Sequence, residues 1–196
     1  MQAELAALVG SRICHDLISP IGAINNGVEL MALTGGTAGE EMALIKESVE
    51  TASARIKFFR IAYGSAEEEQ LVSTKEVVGI LAPLSGSGRV NHIWELQGEQ
   101  PRPLVRCLFL LIQALETALP LGGTITVAPC HQRILLTAAG NRINYDGCLW
   151  DILNTGCTSP EKAAANVQFA LLPDALDAAA RKLEVEVSEG KLAVRL

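Results

Sequence analysis

The chain has 196 residues, 49% of them hydrophobic but only 4% aromatic, so the core of one sizeable domain or two small ones must be packed mainly from Leu, Ile, Val and Ala. A formal charge of −6 argues against a nucleic-acid partner. No apolar run reaches the roughly 18 residues of a membrane helix: the nearest, LFLLIQALETALPLGG, is interrupted by Gln113 and Glu116, and Met1 to Leu8 lacks the basic region of a signal peptide, which makes the cytoplasm the expected compartment and a membrane an unexpected partner.

The first 64 residues read as helix, glycine-rich turn, helix. Apolar residues fall at Ile13, Leu17, Ile21, Ile24, Val28 and Met31, spaced three or four apart. After TGGTAGE, with Thr37 and Glu40 at the spacing of a capping box, a second series runs through Met42, Ile45, Val49, Ala52, Ile56, Phe59 and Tyr63. Two such helices bury one seam against each other only in part, and no third helix of this kind follows. The expectation is a homodimer in which two hairpins make a four-helix bundle; the alternative is that the rest of the chain covers the seam. The polar, acidic GSAEEEQ reads as a linker or a helix end between residues 1–66, a hairpin, and residues 67–196, a second domain.

In the second domain QLVS predicts a strand, and Ser73 with Glu76 caps a helix to about Leu84. RVNHIWELQ predicts a strand, and PRPLVRCLFLLIQALETAL a mostly buried helix opened by Pro103. PLGG is a turn between that helix and a strand pair, TITVA and RILLTAA. A helix over about 162–182, breaking near Pro173, and the hairpin LEVEVSEGKLAVRL complete an α+β layer with helices on one face of a sheet. The five cysteines, Cys14, Cys107, Cys130, Cys148 and Cys157, are odd in number and contain no C-x-x-C, so they read as reduced thiols with no disulfide or zinc site. His92 falls in a strand and His131 at a turn, neither at ligand spacing to a cysteine.

His15 differs. With about 100° per residue, the first seam clusters within about 40° of Leu17 while His15 lies about 160° away, on the outer face with Ser19, Gly22 and Asn26, one turn beyond Arg12. The small residues leave room for another protein to approach the imidazole. Pro20, one turn on, denies the Asp16 carbonyl its helical donor and suggests a bend that serves the site. An imidazole, largely neutral near pH 7, can attack a phosphoryl group and pass it on to a carboxylate. Asp16 points about 100° aside, which makes it an influence through the field rather than a simple hydrogen-bond partner of His15. In a hairpin turning near Gly36, His15 is level with Lys57 and Phe58, and Ile61 points out from the second seam. Phe58 and Ile61 read either as a small docking patch or as residues packed on the second domain; Arg12 and Lys57 are placed to neutralise phosphoryl charge.

HDLISPI, from His15 to Ile21, resembles the H-box of sensor histidine kinases, H-[DE]-L-x-x-P-[IL], and LFLLIQALETALPLGGTITVA resembles the N-box helix of their ATP-binding domain. Two departures matter. The metal-binding Asn of that family aligns with Ala114 and its Lys with Thr117, and the adenine-reading Asp aligns with Ala138. No glycine-rich lid appears, and NTGCTSPEKAAANVQFALL stands in its place. RICHDLISPIGAINNGVEL, FFRIAYG, ALPLGG and LEVEVSEGKLAV together resemble the ChpT-type histidine phosphotransferases of α-proteobacteria over nearly the whole chain. That resemblance implies a degenerate ATPase-like α/β sandwich behind the hairpin, a cytoplasmic homodimer and no kinase activity. It implies a relay in which His15 takes a phosphoryl group from the receiver domain of a hybrid kinase and delivers it to response regulators. Arg12, Asp16, Ser19, Gly22, Lys57, Phe58 and Ile61 would meet the partner. No cofactor is expected on this chain, Mg²⁺ being carried by the receiver. A diverged ATP-dependent kinase and a non-catalytic receiver-binding adaptor are the alternatives.

Overall fold

The computed structural model describes residues 2–33, 39–65, 69–155 and 166–196. Helix α1 (Gln2–Leu33) runs unbroken through Pro20 and packs along helix α2 (Glu40–Ala62). Asp16 meets Arg55 and Gly27 meets Ile45, so the two helices run antiparallel. A β-carbon at Gly27 would stand 2.6 Å from Ile45 Cγ1; glycine is what permits this approach. The α2 helix starts behind Gly39, whose carbonyl accepts from the Ala43 amide at 3.2 Å; Thr37, expected to cap it, lies outside the described residues.

After the hairpin come β1 (Leu71–Ser73), α3 (Thr74–Ser87), β2 (Val90–Trp94), β3 (Glu99–Pro101), α4 (Arg102–Thr117), β4 (Gly123–Cys130), β5 (Arg133–Ala139), α5 (Gly147–Thr155), α6 (Val167–Ala178), β6 (Glu184–Ser188) and β7 (Lys191–Arg195). Five strands form one sheet in the order β2-β4-β5-β7-β6, with β2 and β4 parallel and the other pairs antiparallel; β1 and β3 make a separate antiparallel pair. This is the expected α+β class. Ser73 Oγ accepts from the Glu76 amide at 3.2 Å, as its position before the helix predicts. The helix expected over 162–182 is described as Val167–Ala178 and passes through Pro173 without a break; residues 162–165 and Cys157 lie outside the described residues. Two elements, β3 and α5, were not among the expectations.

Register explains the core. Ile125 pairs with Ala138 and Ala138 with Leu192, while Val127 pairs with Leu136 and Leu136 with Val194; all six are buried on one sheet face. Helix α4 lies against β4, β5 and α6, and Val105 and the run from Cys107 to Ile112 are fully buried. The chain reaches β4 through Gly122 at φ +85°, where a β-carbon would stand 2.4 Å from the Arg89 carbonyl, so the PLGG turn requires glycine.

The hairpin is built into this core. Phe58, Phe59, Ile61 and Ala62 of α2 join the buried cluster, and Leu5, Leu8, Val9, Ile13 and Leu17 of α1 pack on it. Arg102 donates to the carbonyls of Arg60 and Ser65, and Arg106 to that of Ala62, so two arginines of α4 satisfy backbone oxygens at and just beyond the end of α2. An exposed docking patch at Phe58 and Ile61 is therefore not present: Ile61 is 0% and Phe58 4% exposed. The wheel placed them off the seam correctly, but the sheet domain occupies the side they point to. The seam itself is divided. Its Ile13 and Leu17 end rests on the core, whereas Ile21, Val28, Met42, Val49 and Ile56 are each about half exposed.

Candidate functional site

His15 stands on the outer face of α1 with its side chain 83% exposed, as its position opposite the seam predicts. Ser19 is exposed beside it, and a β-carbon on Gly22 would meet nothing within 4 Å, so the surface beyond the ring is open. Lys57 on α2 is exposed; Arg12 is half-buried.

The carboxylate next to the ring is not aside, as neighbouring helical positions suggested. His15 Nδ1 and Asp16 Oδ1 are 3.0 Å apart. Asp16 itself is 9% exposed. Its Oδ2 accepts from Arg12 Nε at 3.1 Å, one helical turn earlier, and lies 3.6 Å from Arg55 Nη1 on α2. A carboxylate facing Nδ1 is an acceptor there, so in the neutral ring it favours the tautomer with the proton on Nδ1 and the lone pair on Nε2, on the far side of the ring. The chemistry available to such a ring is nucleophilic.

From Asp16 and Arg55 a cleft of about 320 Å³ runs between the hairpin and the sheet domain, bounded further in by Phe58, Phe59, Arg89, His92, Gln113 and Glu116. His92 is 4% exposed and fully engaged: Nδ1 lies 3.0 Å from Ser85 Oγ and Nε2 2.9 Å from Glu116 Oε1, tying β2 to α3 and α4. It is a structural histidine, as expected of its strand position. Tyr63 donates to Gln113 Oε1 at 3.0 Å; burial pushes its phenol above the ordinary value, with the Gln113 hydrogen bond opposing, so it stays a neutral donor. His131 sits at the β4–β5 turn with φ +56°. Among the described residues no group of three or more His, Cys, Asp or Glu converges to hold a metal ion, and no helix is long and apolar enough to cross a membrane. Ala114 and Ala138, which the resemblance to sensor histidine kinases sets opposite Asn and Asp, are wholly buried methyls.

Arg55 is the site residue that sequence reasoning missed. Its signal was positional: in an antiparallel hairpin it lies level with Asp16, two residues before Lys57.

Residues 74–191 match the family model of the histidine phosphotransferase C-terminal domain. The solved structure described as a bacterial phosphotransferase superposes with a TM-score of 0.80 at 29% identity, covering 100% of this chain and 96% of that one. The protein phosphotransferase ChpT of Brucella abortus (strain 2308) is 36% identical over 146 residues, 71% of this chain and 69% of that protein. Taken with the exposed histidine of the hairpin, these similarities show that the chain belongs to the family of ChpT-like histidine phosphotransferases.

Proposed function

We propose that this protein relays a phosphoryl group through His15, from the aspartyl phosphate of a hybrid-kinase receiver to the receivers of response regulators, in the cytoplasm and without binding ATP. The observation that carries the proposal is the exposed ring of His15, 83% open, whose Nδ1 is held 3.0 Å from a carboxylate. In the forward step Nε2 attacks phosphorus, a P–N bond forms, and the P–O bond to the donor aspartate breaks with the electron pair leaving on its carboxylate. The phosphorylated ring is cationic, and Asp16 stabilises it through the retained Nδ1–H. In the second step an acceptor carboxylate attacks the same phosphorus and the P–N electron pair returns to Nε2. The chain contributes the nucleophile and its aim; Mg²⁺ on the receiver offsets the phosphoryl charge, helped by Lys57 and Arg12.

Residues 1–66 then carry the chemistry and the dimer contact, and 67–196 form a degenerate ATPase-like support. The half-exposed seam of Ile21, Val28, Val49 and Ile56 favours a second copy as its cover, completing a four-helix bundle. The docking surface is the open strip of His15, Ser19 and Gly22 with Lys57, flanked by Ile18, which is 69% exposed.

The deciding experiment supplies a ³²P-phosphorylated receiver to the parent and to His15→Ala. Label uptake by the parent and none by a folded variant is the expected result; equal uptake assigns the chemistry elsewhere, and none by either leaves a receiver-binding adaptor. Labelled ATP is the companion test, and appreciable autophosphorylation would replace the relay with a kinase.

A further inference from the structure

We infer that Arg55 is a positioning residue: reaching from α2, it holds Asp16 so that Asp16 in turn fixes the tautomer and aim of the His15 ring. The inference rests on the phosphotransfer role of His15 and deepens it.

His15 and Asp16 leave α1 about 100° apart, so helical geometry alone does not bring the carboxylate to the ring. What brings it there is a division of its two oxygens. Oδ2 faces both guanidiniums, Arg12 Nε at 3.1 Å and Arg55 Nη1 at 3.6 Å, which leaves Oδ1 to His15 Nδ1 at 3.0 Å. The two arginines are not equivalent. Arg12 belongs to the same helix, four residues earlier, and any pair it makes with Asp16 moves with α1. Arg55 comes from the opposite helix, so it alone of the two fixes the carboxylate relative to the rest of the hairpin.

Arg55 itself is set into the fold. Its side chain is 33% exposed, at the mouth of the cleft, and its Nε is buried with no hydrogen-bond partner among the described residues. Burying a guanidinium N–H in this way is unfavourable, and Asp16 is the acidic partner that offsets it. Lys57, two residues on, is the cation that faces solvent and therefore a partner. Without Arg55 the carboxylate is tethered only within its own helix, Nδ1 loses a fixed acceptor, and the proton distributes over both ring nitrogens, removing the lone pair from Nε2 in part of the molecules.

The test uses the full chain and a phosphorylated receiver, with kcat and KM for label uptake measured for the parent, Arg55→Met, Arg55→Lys, Asp16→Asn, the Asp16→Asn/Arg55→Met double variant and His15→Ala. Arg55→Met is expected to lower kcat by about tenfold with KM unchanged within about twofold, since it misplaces the nucleophile rather than the partner. Arg55→Lys recovers part of the loss, and the double variant is no slower than Asp16→Asn alone. In ¹⁵N-histidine NMR spectra, with the His15 signals identified by their absence in His15→Ala, Arg55→Met shifts the ring from one tautomer toward a mixture. Parental kcat in Arg55→Met, an unchanged tautomer, or losses that multiply in the double variant each overturn the inference, the last pointing to direct contact with the phosphoryl group. Should Arg55→Met not fold, Arg55→Lys decides: a partial loss with a shifted tautomer supports the role, and parental values in both overturn it. Unimpaired label uptake by His15→Ala instead defeats the relay itself, and this role with it.

Discussion

The ring of Phe58 on α2 stacks on that of Phe109 on α4 at 4.5 Å between centroids and 13° between planes, so the helix opposite His15 is fixed to the sheet domain through the core. Both rings are buried, at 4% and 0% exposure. Phe58→Ala removes a packed ring that nothing nearby can replace, and it should lower the free energy of unfolding by about 3–5 kcal/mol in urea denaturation. Lys57→Ala, one residue earlier and exposed, should change it by less than about 0.5 kcal/mol. Similar losses in the two variants would mean that the α2–α4 junction is not where the hairpin is anchored.

The close approach at Gly27 gives a second prediction. Gly27→Val places methyl groups against Ile45, with the first carbon 2.6 Å from Cγ1, and should cost about 1–3 kcal/mol. Shortening the opposing side chain relieves the clash, so Gly27→Val with Ile45→Ala should be less destabilised than the sum of the single changes. Strict additivity in thermal or urea unfolding would show that the two helices do not meet there.

How much of this was legible in the chain follows from what each pattern encodes. The seams and the Ser73–Glu76 cap are local: periodicity and a side chain three residues from its amide determine them. The β4–β5 pair and the terminal hairpin were readable because alternation and their turns agree. The direction of His15 followed from the helical wheel, and the wheel also placed Phe58 and Ile61 off the seam. It has no knowledge of the sheet domain that covers them, and that tertiary contact reversed their expected exposure. The His15–Asp16 contact was missed because an angle between adjacent positions says nothing of rotamers, which the cross-helix Arg55 biases. Strand β3 is three residues long, ends in Pro101 and exists only through its pairing with β1, so it has no periodicity to read.

Association of two copies is tested at the seam. Val28→Asp and Val49→Asp place charges on half-exposed apolar positions of the seam that are not part of the buried core cluster. Each should convert a dimer to a monomer in sedimentation equilibrium at micromolar concentration while leaving the circular dichroism of the sheet domain unchanged. A parent chain that sediments as a monomer would refute the four-helix bundle.

Alkaline pH should weaken the fold. Burial pushes the Cys107 thiol up from its ordinary 9.0 to about 12, and Tyr63 moves in the same direction. Both groups hold their protons more tightly folded than unfolded. Their contribution is complete below the ordinary values and declines as the unfolded chain ionises first, between about pH 9 and 12 for Cys107. The slope is about 1.4 kcal/mol per pH unit for each such group. Unfolding free energies measured across this window should fall with pH, and less steeply for Cys107→Ala; an unchanged slope in that variant would show that the thiol is not excluded from water.

The wholly enclosed methyl of Ala138 lies between Ile125 and Leu192 on the packed face of the sheet, and that of Ala114 lies on the central helix. Replacing either by an acidic or amide side chain would strand a polar group among hydrocarbons, at a cost on the order of several kcal/mol for a carboxylate. Neighbouring side chains enclose both positions, so a single larger polar substitution at either has no room to reach water. An interior packed this closely admits a polar side chain at either position only if several neighbours change with it, each change disfavoured alone.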